Sequence, residues 1–324
     1  MGLVKSEIQE KIELGEVISE EILSIQKVQK SLNFNFSKAV NLIHNTKGNI
    51  VFTGVGKSKL ILEKTCGTFS SLGISSYILD ANQASHGGLG SLQKKDTLVN
   101  IGADLRLVPV KPYKDDGNYV KVAGRLAEEL KSSNNHGVVW ANQFDNTANA
   151  KGHYETTGPE IWDQTEGKVD GFVCSSGTGG TIGGVSSFLK EKNKDIKIFL
   201  SDPKGSALYN YIKNGELKSE GGSITEGIGS SRVTANFAEA KIDGAFSISD
   251  HESLPIIYDL IQYEGLSLGT SCGVNIAGAI RLGKELGPGK TIVTILCDKS
   301  DKYNSKLFNK KFLQEKDLPF PSWI

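Results

Sequence analysis

Gly177-Thr178-Gly179-Gly180-Thr181 stands between an apolar run, Val169 to Cys174, and a helical pattern that opens at Ile182. The apolar run reads as a buried strand, and the spacing from Ile182 to Lys190 reads as a helix. Glycines let a backbone approach an oxyanion closely, because no Cβ stands in the way. The N–H groups at a helix start point at such an anion, and the helix dipole favours it. Thr178 and Thr181 add two neutral hydroxyl donors. The five residues therefore predict a phosphate cup at a strand-to-helix turn of an α/β fold. Two other readings stay open. One is a tight turn with no ligand. The other is a dinucleotide site, since Asp202 follows the next strand at about the distance of a ribose contact. Against the second, Gly177-x-Gly179-x-x-Ile182 lacks the last glycine of the GxGxxG pattern. A Walker loop is excluded, because no Gly-Lys-Ser/Thr follows.

The alternation continues on both sides. Downstream, Ile196 to Leu200 reads as a strand, Glu252 to Tyr263 and Val274 to Leu286 as helices, and Thr291 to Leu296 as a buried strand. Upstream, Asn49 to Thr53 predicts a strand, residues from about Ser58 to Ser71 a helix, and Ser75 to Leu79 a second strand. Strand, helix, strand in that order implies parallel pairing through a right-handed crossover. Leu105 to Val110 and Val138 to Trp140 also read as strands, with a helical stripe of Tyr119, Val122, Leu126 and Leu130 between them. Ile8, Ile12, Ile18, Ile22, Ile25 and Val28 recur at helical spacing, which predicts one or two amphipathic N-terminal helices. The fold class is α/β, with open, mostly parallel sheets covered by helices.

A chain of 324 residues has room for two domains with cores of their own. Its 37 basic and 37 acidic residues cancel, so nothing in the overall charge invites nucleic acid or an anionic membrane. No uncharged apolar stretch is long enough to span a bilayer, and the first twenty residues are too charged for a secretory signal. A cytoplasmic protein is expected. Met1-Gly2-Leu3-Val4-Lys5-Ser6 satisfies the loose myristoylation pattern, which six residues meet often by chance. Cys66, Cys174, Cys272 and Cys297 lie far apart, without CxxC spacing or neighbouring histidines, so no metal is expected. Buried, reduced thiols are the plain expectation.

Several separated motifs resemble one family. They are Trp140-Ala141-Asn142-Gln143-Phe144-Asp145-Asn146, Thr156-Thr157-Gly158-Pro159-Glu160-Ile161-Trp162 and the 177–181 loop. Further on come Glu226-Gly227-Ile228-Gly229, the run Glu264 to Gly273, and Ile292 to Asp298. In this order and spacing they resemble cysteine synthase (O-acetylserine sulfhydrylase), a fold-type-II pyridoxal-phosphate enzyme, from about Lys94 to Ile324. The resemblance implies that pyridoxal 5′-phosphate is the cofactor, with its phosphate on Gly177, Thr178, Gly179, Gly180 and Thr181. Ser271 would face the pyridine nitrogen, where a hydroxyl hydrogen bond tempers the electron sink. Its other reading is a helix cap before Val274. Gln143 would help bind the substrate carboxylate, and Gly227 and Gly229 would wall the substrate. The substrates implied are small molecules, O-acetylserine and sulfide. Whether the chain pairs as a homodimer stays open.

One expected group is missing from its place. The family carries a lysine that bonds to the cofactor within a Pro-Gly-x-Ser-x-Lys-Asp-Arg-like stretch, and a Ser/Thr-x-Gly-Asn-Thr-like segment that grips the carboxylate. Neither occurs in residues 1–93. Those residues resemble instead the first half of a sugar isomerase (SIS) domain of the arabinose 5-phosphate isomerase type. Gly54-Val55-Gly56-Lys57-Ser58, Thr68 to Gly73 and Ala84 to Gly90 carry that likeness. It implies active-site roles for Lys57 and His86, although Gln83 stands where those relatives have glutamate and Gly88 where they have aspartate. Val51 occupies the place of a Walker motif's first glycine, so that alternative fails. The sequence thus reads as a join near Gln93: a partial SIS-like unit at 1–93, the remainder of a small domain at 94–150, and a cofactor-binding domain at 151–324. Lys57 or Lys59, at the start of a helix, is a substitute anchor to be tested. The expected function is cysteine synthesis with an impaired site. The alternatives are a cofactor-binding product without turnover and an incomplete sugar-phosphate isomerase.

Overall fold

The computed structural model describes residues 7–54, 57–79, 95–100, 106, 108–109, 111–133 and 137–324. Contacts divide the chain into two compact units, Met1–Ala81 with Leu92–Ala103, and Asn82–Ser91 with Asp104–Ile324.

In the first unit two helices, α1 (Glu7–Ser31) and α2 (Phe34–His44), precede β1 (Ile50–Thr53), α3 (Lys57–Ser71) and β2 (Ser76–Ile78). The side chain of Asn33 starts α2 by accepting the N–H of Asn35. β1 is flanked on one side by β2 and on the other by β3 (Thr97–Asn100), and both pairings are parallel. The strand, helix, strand reading of residues 49–79 is thereby met, while β3 escaped it. Ile50, Phe52 and Leu62 form a small core, with the Phe69 ring edge-on to Phe52 at 5.4 Å. The apolar stripe expected on the N-terminal helix is real as a pattern, yet Ile18, Ile22, Ile25 and Val28 are all exposed.

The second unit carries a four-stranded parallel sheet in the order β6-β5-β4-β7. Its strands are β4 (Gly171–Cys174), β5 (Lys197–Pro203), β6 (Gly244–Ile248) and β7 (Ile292–Thr294). Along β4, Phe172 and Cys174 join one core cluster and Val173 another. On β5, Ile198 and Leu200 join the first cluster and Phe199 packs on the second. Two-residue alternation between two apolar clusters means a sheet buried on both faces. The helix α7 (Gly180–Lys192) supplies Ile182, Val185 and Leu189 to one cluster. The helix α11 (Thr270–Leu286) supplies Val274, Ala277 and Leu282 to the other. Around them lie α4 (Tyr119–Lys131), α5 (Ala148–Glu155), α6 (Thr157–Gln164), α8 (Leu208–Asn214), α9 (Ala235–Ala238) and α10 (Asp250–Glu264).

One expectation for the stretch before α5 is corrected. Val138 to Trp140 is not a strand; among the described residues the segment has no ladder partner, and Val139 is 95% exposed. β-branched composition favours a strand only where another strand pairs with it. Residues 106, 108 and 109 likewise have no regular structure, and the rest of the Leu105–Val110 run lies outside the described residues. Among the described residues no helix is long and apolar enough to cross a membrane.

Candidate functional site

The strand order positions the site. From β4 the chain steps to β5 and β6 on one side, and β7 then returns to the other side of β4. The loops leaving β4 and β7 therefore diverge, and open parallel sheets bind ligands in the crevice beyond such a switch point. The 177–181 loop leaves β4 at that crevice, and the loop through Cys297 leaves β7 there. Asn275, fully buried on α11, bridges the two. Its Oδ1 accepts the N–H of Ser175 at 2.7 Å, and its Nδ2 donates to the Ile295 carbonyl at 2.7 Å.

The glycine loop has the form the sequence predicts. Gly179 has φ +88°, in the left-handed region, and it is the N-cap of α7. A Cβ on Gly179 would lie 2.5 Å from the backbone nitrogen of Phe237, and one on Gly177 would strike the Gly227 carbonyl. The Thr178 carbonyl accepts the Thr234 hydroxyl at 2.6 Å, and the Thr178 hydroxyl accepts Asn149 Nδ2 at 3.0 Å. Among the described residues no hydrogen-bond partner takes the N–H groups of Gly177, Thr178 or Gly179. Donors of this kind are rarely left unpaired in a folded core. They suit a tetrahedral anion.

Other residues picked out in the sequence gather around this loop. Gly229 donates its N–H to the Ser176 carbonyl at 2.8 Å, which seats the 226–229 segment against the base of the cup together with the Gly177 to Gly227 approach. The Gln143 carbonyl accepts both Asn149 Nδ2 and Asn236 Nδ2, at 2.9 and 3.0 Å, so the 142–146 turn is bound to the same network. Arg232 clamps that turn with a two-pronged pair to Asp145 at 2.8 and 2.7 Å and lies 4.0 Å over the Tyr113 ring. The guanidinium, chiefly by hydrogen bonding, holds the Asp145 carboxyl below its ordinary value. A cavity of about 160 Å³ lies alongside, lined by Tyr113, Tyr119, Phe144, Gly229, Ser230 and Arg232. Ser271 is buried in the first turn of α11, whose N-cap is Gly269, so the alternative role of Ser271 as a helix cap is corrected.

The sequence reading missed His153. Its Nδ1 lies 2.9 Å from the Thr157 hydroxyl and its Nε2 3.2 Å from the Thr181 hydroxyl. Burial lowers its pKa, which favours a neutral ring joining the cup to α6. The nearby signal was Thr156-Thr157-Gly158-Pro159, three residues downstream.

Asp202 answers the dinucleotide alternative. It is fully buried at the end of β5, and its Oδ2 accepts the N–H of Tyr209 at the start of α8, 2.7 Å away. It serves a helix end. Burial pushes its carboxyl up to about 6 against the hydrogen bonds of Tyr209 and Ser206. The folded protein therefore holds a proton that the unfolded chain loses near pH 4, and stability falls as pH rises from about 4 to about 6, by roughly 3 kcal/mol in all. Asp202→Asn is expected to remove this decline. Denaturant midpoints of both proteins across that window test it, and parallel curves would refute it.

Lys59 lies on α3 in the first unit, half-buried, with Glu63 Oε1 at 3.7 Å. The side chain of Lys57 and all of His86 lie outside the described residues. The expectation of four buried thiols holds for Cys174 and Cys272; Cys66 is half-buried and Cys297 is exposed, a correction, because the loop after β7 opens to solvent at the crevice.

The cup fits a pyridoxal phosphate on grounds internal to this structure. Two buried hydroxyls, Ser176 Oγ below the loop and Thr270 Oγ1 beside Ser271, have no protein partner. Together with the unpaired loop amides they leave polar capacity for a phosphorylated, ring-bearing guest.

Comparison with known proteins agrees. The family described as "Pyridoxal-phosphate dependent enzyme" matches residues 70–298. "Cysteine synthase 1" of Neurospora crassa is 40% identical over 282 residues, covering 86% of this chain and 69% of that protein. "Cysteine synthase" of Dictyostelium discoideum is 37% identical over 276 residues, covering 80% and 70%. In fold the chain is similar to the crystal structure of O-acetylserine dependent cystathionine beta-synthase from Helicobacter pylori, with TM-score 0.53, 23% identity, and 84% and 81% coverage. The family match begins upstream of Lys94, so the likeness is longer than the motifs alone suggest. By these matches and its own phosphate cup, the chain belongs to the pyridoxal-phosphate dependent enzymes, is cysteine-synthase-like over most of its length, and takes pyridoxal 5′-phosphate as its cofactor.

Proposed function

We propose that this protein forms cysteine from O-acetylserine and sulfide. The observation that carries the reading is the loop at 177–181, with the amides of Gly177, Thr178 and Gly179 unpaired among the described residues, seated against Gly227 at the switch point of the sheet. When bound, the cofactor supplies an electron sink that lets bonds at the amino acid's Cα and Cβ break. The chain's residues supply the rest. The amides of Gly177, Thr178 and Gly179 and the Thr178 and Thr181 hydroxyls would hold the phosphate, with His153 keeping Thr181 oriented. Ser271 Oγ donates to the pyridine nitrogen and leaves the ring without a fixed positive charge, which suits loss of a Cβ substituent followed by addition of a nucleophile. Gln143 binds the substrate carboxylate. Gly227 and Gly229 leave space beside it that larger residues would fill.

The covalent anchor is proposed on Lys57 or Lys59, both at the start of α3. A second reading, that the chain holds the cofactor without turnover, is favoured by one observation: the family's lysine-bearing stretch does not occur in residues 1–93. An assay of purified protein with cofactor, O-acetylserine and sulfide separates the two. Cysteine formation, with a borohydride-stable adduct on Lys57 or Lys59, supports the enzyme. Cofactor binding with no cysteine and no adduct supports the second reading. For residues 1–93 the sugar-isomerase reading is a proposal on motifs alone, tested by interconversion of arabinose and ribulose 5-phosphates.

A further inference from the structure

We propose that this protein pairs with a second copy of itself through its first unit, the apolar stripe of α1 in each copy lying in a groove of the other. The stripe is Ile18, Ile22, Ile25 and Val28, continued by Leu32 just past the helix end. Steps of three and four residues put such side chains on one side of a helix. All five are at least half exposed, and every residue from Ile18 to Leu42 lies open to solvent. An amphipathic helix owes most of its stability to burial of its apolar side, so a stripe of this length calls for a cover.

The same unit carries a groove of about 460 Å³. Val40 and Ile43 of α2, Ile50 of β1, Phe69 of α3 and the following Ile74 line it. The helix does not cover the groove of its own chain. Only Leu32 and Asn33 join α1 to α2, and Asn33 has extended backbone, φ −140° and ψ −173°, with its side chain holding the N–H of Asn35. That cap fixes the direction in which α1 leaves α2. Along it the stripe stays open, and so does Val40 at the groove, 47% exposed.

Charge selects the occupant. α1 holds six glutamates against three lysines, a net charge of −3. The helices beside the groove are opposite in sign: α2 has Lys38 and no acid, and α3 has Lys57, Lys59 and Lys64 against Glu63 alone. Two copies of α1 laid side by side would repel, whereas α1 over α2 and α3 is attracted. Exposed ion pairs add little energy and chiefly set orientation. The area is sufficient. At roughly 100 Å² each, the stripe and the exposed Phe36, Val40, Leu72 and Ile74 offer on the order of 900 Å² per copy, and a stable interface takes about 800 Å² from each partner. Stripe and groove belong to one surface, so the exchange is reciprocal and closes as a two-fold dimer.

The inference does not rest on the function proposed above, and its test needs no cofactor. Sedimentation of the full chain is expected to give twice its 34.9 kDa mass. The double variant Ile22→Lys, Ile25→Lys is expected to pair about a hundredfold more weakly and to sediment as a monomer. Both side chains are exposed and lysine suits a helix, so circular dichroism should show the fold kept. In wild type, carbodiimide coupling joins neighbouring carboxylates and amines. The covalent dimer, isolated by mass and digested, should yield peptides linking Glu20 or Glu21 to Lys38, Lys59 or Lys64. A wild-type monomer, a dimer unmoved by the double substitution, or a covalent dimer joined only through other segments overturns the proposal.

Discussion

Replacing Gly179 with aspartate is expected to abolish binding of pyridoxal 5′-phosphate, weakening it by roughly a thousandfold. Three effects act together. The backbone at φ +88° costs an ordinary L-residue about 1–2 kcal/mol. A Cβ there meets the nitrogen of Phe237 at 2.5 Å and its Cα at 2.6 Å, backbone atoms that cannot swing aside as a side chain would. The new carboxylate then stands where the phosphate is held, and like charges at contact repel even under partial screening, by about 1–4 kcal/mol. Gly179→Ala keeps the first two effects and omits the third, so its affinity should fall between the two. Cofactor titration followed by absorbance measures both, and circular dichroism shows whether the unit has kept its fold. An aspartate variant that stays folded and binds like wild type would remove the phosphate cup from this account.

The second large effect is on stability. Asn275→Ala should destabilise the second unit by about 4 kcal/mol, because the Ser175 N–H and the Ile295 carbonyl lose their partner together. Asn275 is fully buried, so water cannot simply replace it without entering the core. The three tryptophans, Trp140, Trp162 and Trp323, all belong to this unit and report its unfolding in urea. The midpoint should drop with little change in slope. Ser175 opens the loop that leads to Gly177, so cofactor affinity is expected to fall as well. An unmoved midpoint would mean that the splay between β4 and β7 is held by other contacts.

Local chemistry was the part that could be read ahead of the structure. The glycine loop is legible because its requirements are local: a left-handed residue, unpaired amides and a helix start all fall within five consecutive positions. α7, α10 and α11 were legible for the same reason, since helical periodicity is a property of neighbours along the chain. Val138 to Trp140 was misread because strand composition is present there and, among the described residues, a partner strand is not. β3 and β6 do not stand out because Thr97, Asn100, Gly244 and Ser247 break up the apolar run that marks β4 and β7. His153 carries no pattern of its own. Its significance comes from Thr157, one turn along, and from Thr181, 28 positions away.

The sequence by itself determined that this chain is α/β, that a phosphate cup follows Cys174, and that its motifs run in the order of a cysteine synthase. Those follow from residue type and spacing, because a glycine's freedom and a helix's period need no distant partner. Only the tertiary structure decided that β7 lies against β4, that Asn275 spans the gap so formed, and that Asn275 also meets the Cys297 sulfur. Neighbours across a parallel sheet are joined by long crossovers. Which strands end up adjacent is settled by how all the apolar faces are buried together, and no single segment contains that information.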